Sequence, residues 1–213
     1  MVHSDDTVPA RLDLTHRERV LLAGGEHTDE ALVLVDAALA DEDERVRTTA
    51  LGALWRQGRL SSAVVIAALG DPAPVVRVRA AQLSVGVGDE VVPDLISRLD
   101  DTSHVAVAAI IALADREAVD AVEALLTVAE RSEDPLVHEE AVAALGALGD
   151  PAGLPVVLAA TFGKPALRRR SVAALGGFEG DEVEEALDRL AEDRDWQVRQ
   201  AVALLRRPPL DAS

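Results

Sequence analysis

The chain has 213 residues, 38 acidic against 21 basic, giving a net charge of −17, and it contains no cysteine. Such a field repels phosphate backbones and anionic membrane surfaces over a Debye length of about 8 Å, and the missing thiols exclude a disulfide framework and a thiolate zinc site. Apolar residues make up 49% of the sequence and aromatic ones only 2%, so the expected core is Ala, Val and Leu, with few flat surfaces for stacking bases or planar cofactors.

Residues 1–10 are polar and without period, and are expected to form a flexible leader. They hold neither a basic start nor an apolar run, so no secretory signal is expected. No apolar stretch approaches the roughly 20 residues that cross a bilayer, and the expected protein is soluble and cytoplasmic. At Thr15 the pattern Thr-x-x-Glu predicts a capping box, and Gly24 and Gly25 predict the end of that first helix. Its partner runs over Thr28 to Ala40, capped by Thr28 or Asp29.

From Asp41 onward one pattern recurs. DEDERVRTTALGAL returns in degenerate form from Asp71, Asp100, Ser132, Phe162 and Glu192, at spacings of 30, 29, 32, 30 and 30 residues. Self-similarity at that period marks a stack of helical repeats, each too small to bury its own apolar face. The first helix of each unit is expected at the fourth position, where Pro74, Pro135 and Pro165 fall, because proline in a first turn forfeits no hydrogen bond. Val46, Val76, Val105, Val137 and Leu167 hold the sixth position. Ala50, Ala80, Ala109, Ala141, Ser171 and Ala201 hold the tenth, where a small residue permits a close crossing. Second helices are expected at about 60–69, 90–99, 116–130, 151–162 and 181–192, and Pro155 bends its helix unless the helix begins there. A last helix runs from Asp195 until Pro208 and Pro209 stop it. The expected fold is all-α: one domain over 11–207 of about six helix pairs plus a terminal helix, then a tail over 208–213.

The unit Val-Arg-x-x-Ala with a following Gly-Asp, seen as VRTTALGAL and as VRVRAA with GVGD, resembles the HEAT repeat, in the short bacterial form found in phycobilisome lyase subunits. The resemblance covers about residues 11–207. It implies a right-handed α-solenoid whose second helices line a concave binding face.

Arginine holds the seventh position at Arg47, Arg77 and Arg168, and Arg17 is its counterpart in the first unit. Two readings stand: a basic ridge, or the ladder implied by the resemblance, in which each arginine pairs with an acid of the adjacent unit. Arg168, Arg169 and Arg170 form the one basic cluster; consecutive helical residues point in different directions, one toward the ladder. The ladder is interrupted at Ala106 and His138. His138, with His104 and Glu139 nearby, offers the minimum for acid–base chemistry. Neither H-x-x-x-H nor H-E-x-x-H occurs, so no metal and no cofactor is expected.

On the second helices, Asp94, Arg98, Glu123, Thr127 and Asp188 are the candidate binding residues. The uncharged PAGLPVVLAATF adds an apolar window at Leu158 and Phe162. Trp196 is expected to shield the end of the stack. The leading expectation is a scaffold that binds a protein or peptide partner, basic in character, in an acidic and partly apolar groove. A second is an enzyme of the lyase, isomerase or cyclase type acting on a small molecule through His138, His104 and Glu139. A third follows from HEAT-like repeats in alkylpurine DNA glycosylases, and the net charge and lack of tyrosine oppose it. Neither nucleic acid nor membrane is expected as a partner.

Overall fold

The computed structural model describes residues 14–207. The leader, the tail and the stop at Pro208 and Pro209 lie outside the described residues. The described residues form helices, turns and loops, as the repeat pattern predicts for an all-α fold. They fall into two compact units, one ending at Leu60 and the other starting at Ser61.

In the first unit, helix α1 (His16–Ala23) begins with the predicted capping box: the Thr15 hydroxyl accepts from the Glu18 N–H, and the Glu18 carboxylate accepts from the Thr15 N–H at 2.8 Å. Thr28 caps α2 (Asp29–Ala38), and Asp43 caps α3 (Glu44–Arg56). The buried Gln57 amide donates to the carbonyls of Ala23 and Glu26 and ties down the turn between α1 and α2. The ladder expected at Arg17 is displaced by one residue. Arg17 donates to Thr49, and His16 faces Asp41 at 3.3 Å.

The second unit contains α4 (Ser62–Leu69), α5 (Pro74–Leu83), α6 (Val92–Ile96), α7 (Ser103–Asp115) and α8 (Val122–Arg131). It continues with α9 (Pro135–Leu148), α10 (Leu154–Ala160), α11 (Pro165–Leu175), α12 (Asp181–Ala191) and α13 (Trp196–Leu205). Helices α5, α9 and α11 begin on the three expected prolines. The second helices are shorter than expected. Tight 3₁₀ turns at Asp89–Val91, Val119–Ala121 and Pro151–Gly153 precede α6, α8 and α10. Glu117, at φ 53°, keeps the segment after α7 from continuing as helix. Pro155 falls in the first turn of α10, where it breaks no bond.

Successive first helices α5, α7, α9 and α11 pack on one another through the tenth-position residues, and Ala80, Ala109, Ala141 and Ser171 are fully buried. The last repeat is shifted by one: Val198 and Val202 are buried while Ala201 is only half-buried. Its N-cap is Asp195, so the unit starts at Asp193 and Arg199 takes the seventh position. At the crossing of α9 and α11, a Cβ on Gly146 would lie 2.3 Å from the Ala174 Cα.

The arginines form the ladder. Arg77 grips Asp101 of the next repeat through two bonds of 2.9 and 2.6 Å, and Arg168 grips Asp193 at 2.7 and 2.8 Å. Each also donates back to its own repeat, Arg77 to the carbonyls of Asp71 and Pro72 and Arg168 to that of Gly163. Arg47 and Arg199 make the same backward bonds, to Asp41 and Glu42 and to Asp193. Arg168 is buried, which accounts for Leu167 being only half-buried beside it. Of the basic cluster, Arg169 donates to Gln197 and Arg170 to Glu140.

The guanidinium of Arg77 holds the Asp101 carboxyl below the ordinary aspartate range, and Arg168 does the same for Asp193. The unfolded chain therefore binds these protons more readily than the folded one. The stability the pairs contribute is complete above the ordinary aspartate value of about 3.9 and is lost as pH falls through the lower folded values. Asp193→Asn should cost about 3 kcal/mol at neutral pH, since it leaves a buried guanidinium half-paired, and should flatten the acid limb of urea-melt stability against pH. Gly146→Ala should cost about 1–3 kcal/mol by overpacking the crossing, whereas Ala147→Ser on the exposed side of α9 should leave the thermal midpoint nearly unchanged.

Candidate functional site

The second unit carries a groove of about 400 Å³ on its first helices. Val78 and Ala81 of α5, Val107 and Ile111 of α7, and Leu136 of α9 line it, with Val85 of the turn after α5. Leu136 is 62% exposed, Val85 45% and Ile111 40%. Large apolar side chains thus stand together at the surface of the groove.

The polar rim is mostly acidic. Asp115, Glu139 and Glu140 line the groove with His104, Ser103 and Arg170. Arg170 is committed to Glu140 at 2.8 Å, and Asp115 and Glu139 make no ion pair among the described residues. The Ser103 hydroxyl donates to Asp134, the N-cap of α9, and this bond, with the backbone N–H of Leu136, holds the Asp134 carboxyl below its ordinary range. Asp134 is therefore charged across the neutral range, just behind the rim.

His104 and Glu139, two of the three residues expected for acid–base work, line this groove. His138 does not; it sits half-buried in the first turn of α9, one residue before Glu139. The third first-helix groove residue of note, Ile111, carries a readable signal. It stands at the repeat position held by Gly52, Gln82, Ala143 and Ala173 in the other internal repeats, and a large apolar residue recurs there only at Leu204 of the terminal helix among these repeats.

Of the second-helix candidates, Glu123 and Thr127 line one shallow concavity between α6 and α8, with Ile96 and Asp120. Thr127 donates to the Glu123 carbonyl within its own helix. Asp94 is half-buried on α6, and Arg98 folds onto Ser97 and the ladder acid Asp101. Asp188 shares Arg206 with Glu184, both at 2.8 Å. Leu158 is half-buried on α10, and Phe162, 72% exposed, has the Arg189 guanidinium 3.9 Å above its ring. Arg189 is held there by Thr161 at 2.7 Å. Phe162 is thus capped by a cation on one face and does not present a bare apolar window with Leu158. Trp196 is 62% exposed at the start of α13. Among the described residues, no group of His, Asp and Glu is placed to hold a metal, and no helix is long and apolar enough to cross a membrane.

Residues 92–162 match the family model described as HEAT repeats. That stretch carries HEAT repeats. It spans α6 to α10, and thus holds both the shallow concavity and the α7 and α9 walls of the groove. Comparison with the curated proteins gives no match. Solved structures agree on the fold. YibA of Escherichia coli superposes with a TM-score of 0.63 at 16% identity, covering 92% of this chain and 76% of its own. The complex of CpcE and CpcF of phycocyanin lyase from Nostoc gives 0.51 at 19% identity, covering 96% and 98%. A designed armadillo repeat protein in complex with the peptide (KR)4 gives 0.54 at 15%, covering 90% and 98%. HEAT repeats and armadillo repeats are both stacked helical units, and the present chain has a helical-repeat fold of that class.

The cation over Phe162 has a measurable consequence. Arg189→Gln should leave the fold intact and uncover the second face of the already exposed Phe162 ring; binding of a hydrophobic dye should rise in the variant and fall to the parent level or below in the double variant with Phe162→Ser.

Proposed function

We propose that this HEAT-repeat chain is a non-enzymatic scaffold that binds a segment of a protein partner, and that the partner segment carries apolar side chains flanked by basic ones. The observation that carries the reading is the groove of α5, α7 and α9. Its floor is Val107, Ile111 and Leu136, and the unpaired carboxylates of its rim are Asp115 and Glu139. Burying that floor supplies affinity at about 25 cal/mol per Å² removed from water. The rim supplies orientation and on-rate, and these fall with salt. The net charge of −17 favours a basic partner at longer range. A designed repeat protein of the same architecture holds a peptide of alternating lysine and arginine, which is consistent with a basic segment as the ligand of such a stack.

The second-helix concavity with Asp120, Glu123 and Thr127 is another acidic surface of this unit, and Asp94 and Asp188 extend the acidic character of that helix set. A partner that spans more than the groove reaches it next. The presence of His104 and Glu139 in one lining favours, as a second reading, acid–base chemistry on a small molecule held over the same apolar floor.

Photo-crosslinking in the cells that make the protein tests the scaffold reading. With the photoreactive residue at position 111, a discrete protein partner should be captured. Glu139→Lys with Asp115→Lys should reduce its yield several-fold and weaken its salt dependence. Capture from position 127 and not from 111 would move the contact to the second helices. Capture from neither would overturn the scaffold reading, and a small molecule retained by the purified protein and lost in His104→Ala would establish the enzymatic one.

A further inference from the structure

The ladder is broken at two rungs, Ala106 with Ser132 and His138 with Phe162, and at the first of them the structure leaves a cavity. Arg168 spans from its own repeat to Asp193, the first residue of the next, and Arg77 to Asp101, the second residue of the next. The counterpart of these arginines on α7 is Ala106. The position that opens the following repeat, held by Asp41, Asp71 and Asp193 elsewhere, is Ser132. Ala106 is buried and cannot reach across, and Ser132 makes only a long contact of 3.5 Å to the Asp134 carbonyl. Where the pair would lie, the structure has a cavity of about 360 Å³, and Ala106 and Ser132 both line it.

The remaining parts of the rung are in place. At the filled rung, one guanidinium nitrogen of Arg77 donates to the carbonyls six and five residues before it, those of Asp71 and Pro72, at 2.8 and 3.1 Å. Arg47 does the same with Asp41 and Glu42. The corresponding residues at the broken rung are Asp100 and Asp101, and both line the cavity. Asp100 is exposed and Asp134 contributes a second carboxylate, while Arg131, the exposed last residue of α8, is the cation of the lining. The chain thus contains, twice over, the geometry by which its own backbone receives a guanidinium, and a third copy in which the receiving carbonyls have no arginine of their own repeat.

We infer that this cavity binds a guanidinium group, the arginine side chain of a protein partner inserted where Ala106 interrupts the ladder. One nitrogen of a guanidinium takes the two carbonyls, as in Arg77, and its rigid plane leaves the other nitrogens free to reach the Ser132 hydroxyl at the same time, which the single nitrogen of an ammonium cannot do from the same place. The site lies between α7, α8 and the start of α9 and is distinct from the apolar groove, so its test is independent of the reading above. Ser103 lines both cavities, which allows one partner segment to engage both.

The test is titration of the full chain with a capped Gly-Arg-Gly peptide, followed by amide NMR shifts at Ala106, Ser132 and their neighbours. Saturable shifts are expected, with the citrulline and lysine versions about tenfold weaker or more, since each loses the charge or the fork. Ser132→Asp restores the acceptor of the rung and should tighten the arginine peptide about tenfold, and the lysine peptide by less. Ala106→Arg supplies the rung internally and should abolish binding while raising the melting temperature. Equal binding of arginine and citrulline peptides, or binding unchanged in Ala106→Arg, overturns the assignment. If Ala106→Arg does not fold, Ser132→Asp decides: failure to tighten the arginine peptide overturns it as well. Agmatine, titrated alongside, separates the sources, because a free guanidine that binds as tightly as the peptide overturns the assignment to a partner's chain.

Discussion

The contact on which the stack depends is the two-pronged bond between an arginine of one repeat and an aspartate of the next. A core of Ala, Val and Leu supplies most of the free energy of association between helices, but such surfaces are short of distinctive knobs, and small residues permit sliding. The arginine removes that freedom. Its guanidinium is anchored to carbonyls at the start of its own repeat and clamps a carboxylate in the following one, so the spacing of two repeats is set by a rigid plane. The carboxylate has a second role. Asp193 also accepts from the N–H of Asp195, and Asp101 from that of Thr102, the residues that cap α13 and α7. One aspartate therefore determines both where the next helix starts and how far it lies from the previous one.

This double duty explains why the interruption at Ala106 comes paired with Ser132. An aspartate at 132 without its arginine would be a carboxylate half-enclosed against α7 with no counter-charge, and that costs more than a hydroxyl. The N-cap of α9 is instead secured by Asp134 and by the Ser103 hydroxyl of the preceding helix. A side chain to side chain bond replaces the salt bridge as the tie between α7 and α9. The stack keeps its continuity there, and the space the arginine would fill becomes available from outside.

The architecture was readable because each repeat states it again. Three prolines and a column of small residues repeat at the same positions, and no single unit had to be interpreted alone. The register failed at the two ends, at Arg17 and His16 in the first unit and in the last repeat. Glu192 and Asp193 both suit the opening position, and only the packing of Val198 and Val202 shows that the second one holds it. Second helices were readable in place but not in length, because their 3₁₀ lead-in turns depend on local conformation, as at Glu117, that residue type alone does not specify. The surface was far less legible. Nothing local in the sequence distinguishes a second helix that lines a cleft from one covered by its neighbour. The pairing of Phe162 with Arg189, 27 residues further on, is a contact between repeats. The groove on the first helices left one trace, the isoleucine at 111, and that trace is visible only when the repeats are aligned and the odd residue is read as surface and not as core.

The guanidinium cavity lies in the repeats of α7 and α9, and these two helices also supply two of the three walls of the apolar groove. Removing a ladder arginine relieves α7 of the need to present charge at its N-terminal end, and the same helix is the one that exposes Ile111. Asp101 and Asp193 are spent on their arginines, and bound acids attract little. Between α7 and α9 the carboxylates of Asp100, Asp115 and Glu139 are left without ion pairs among the described residues, beside the apolar floor of the groove or the carbonyls of the broken rung. Affinity for a basic, partly apolar segment therefore concentrates where the internal pairing lapses: in a chain of net charge −17, overall acidity draws a partner in, and the gap in the ladder determines where it stays.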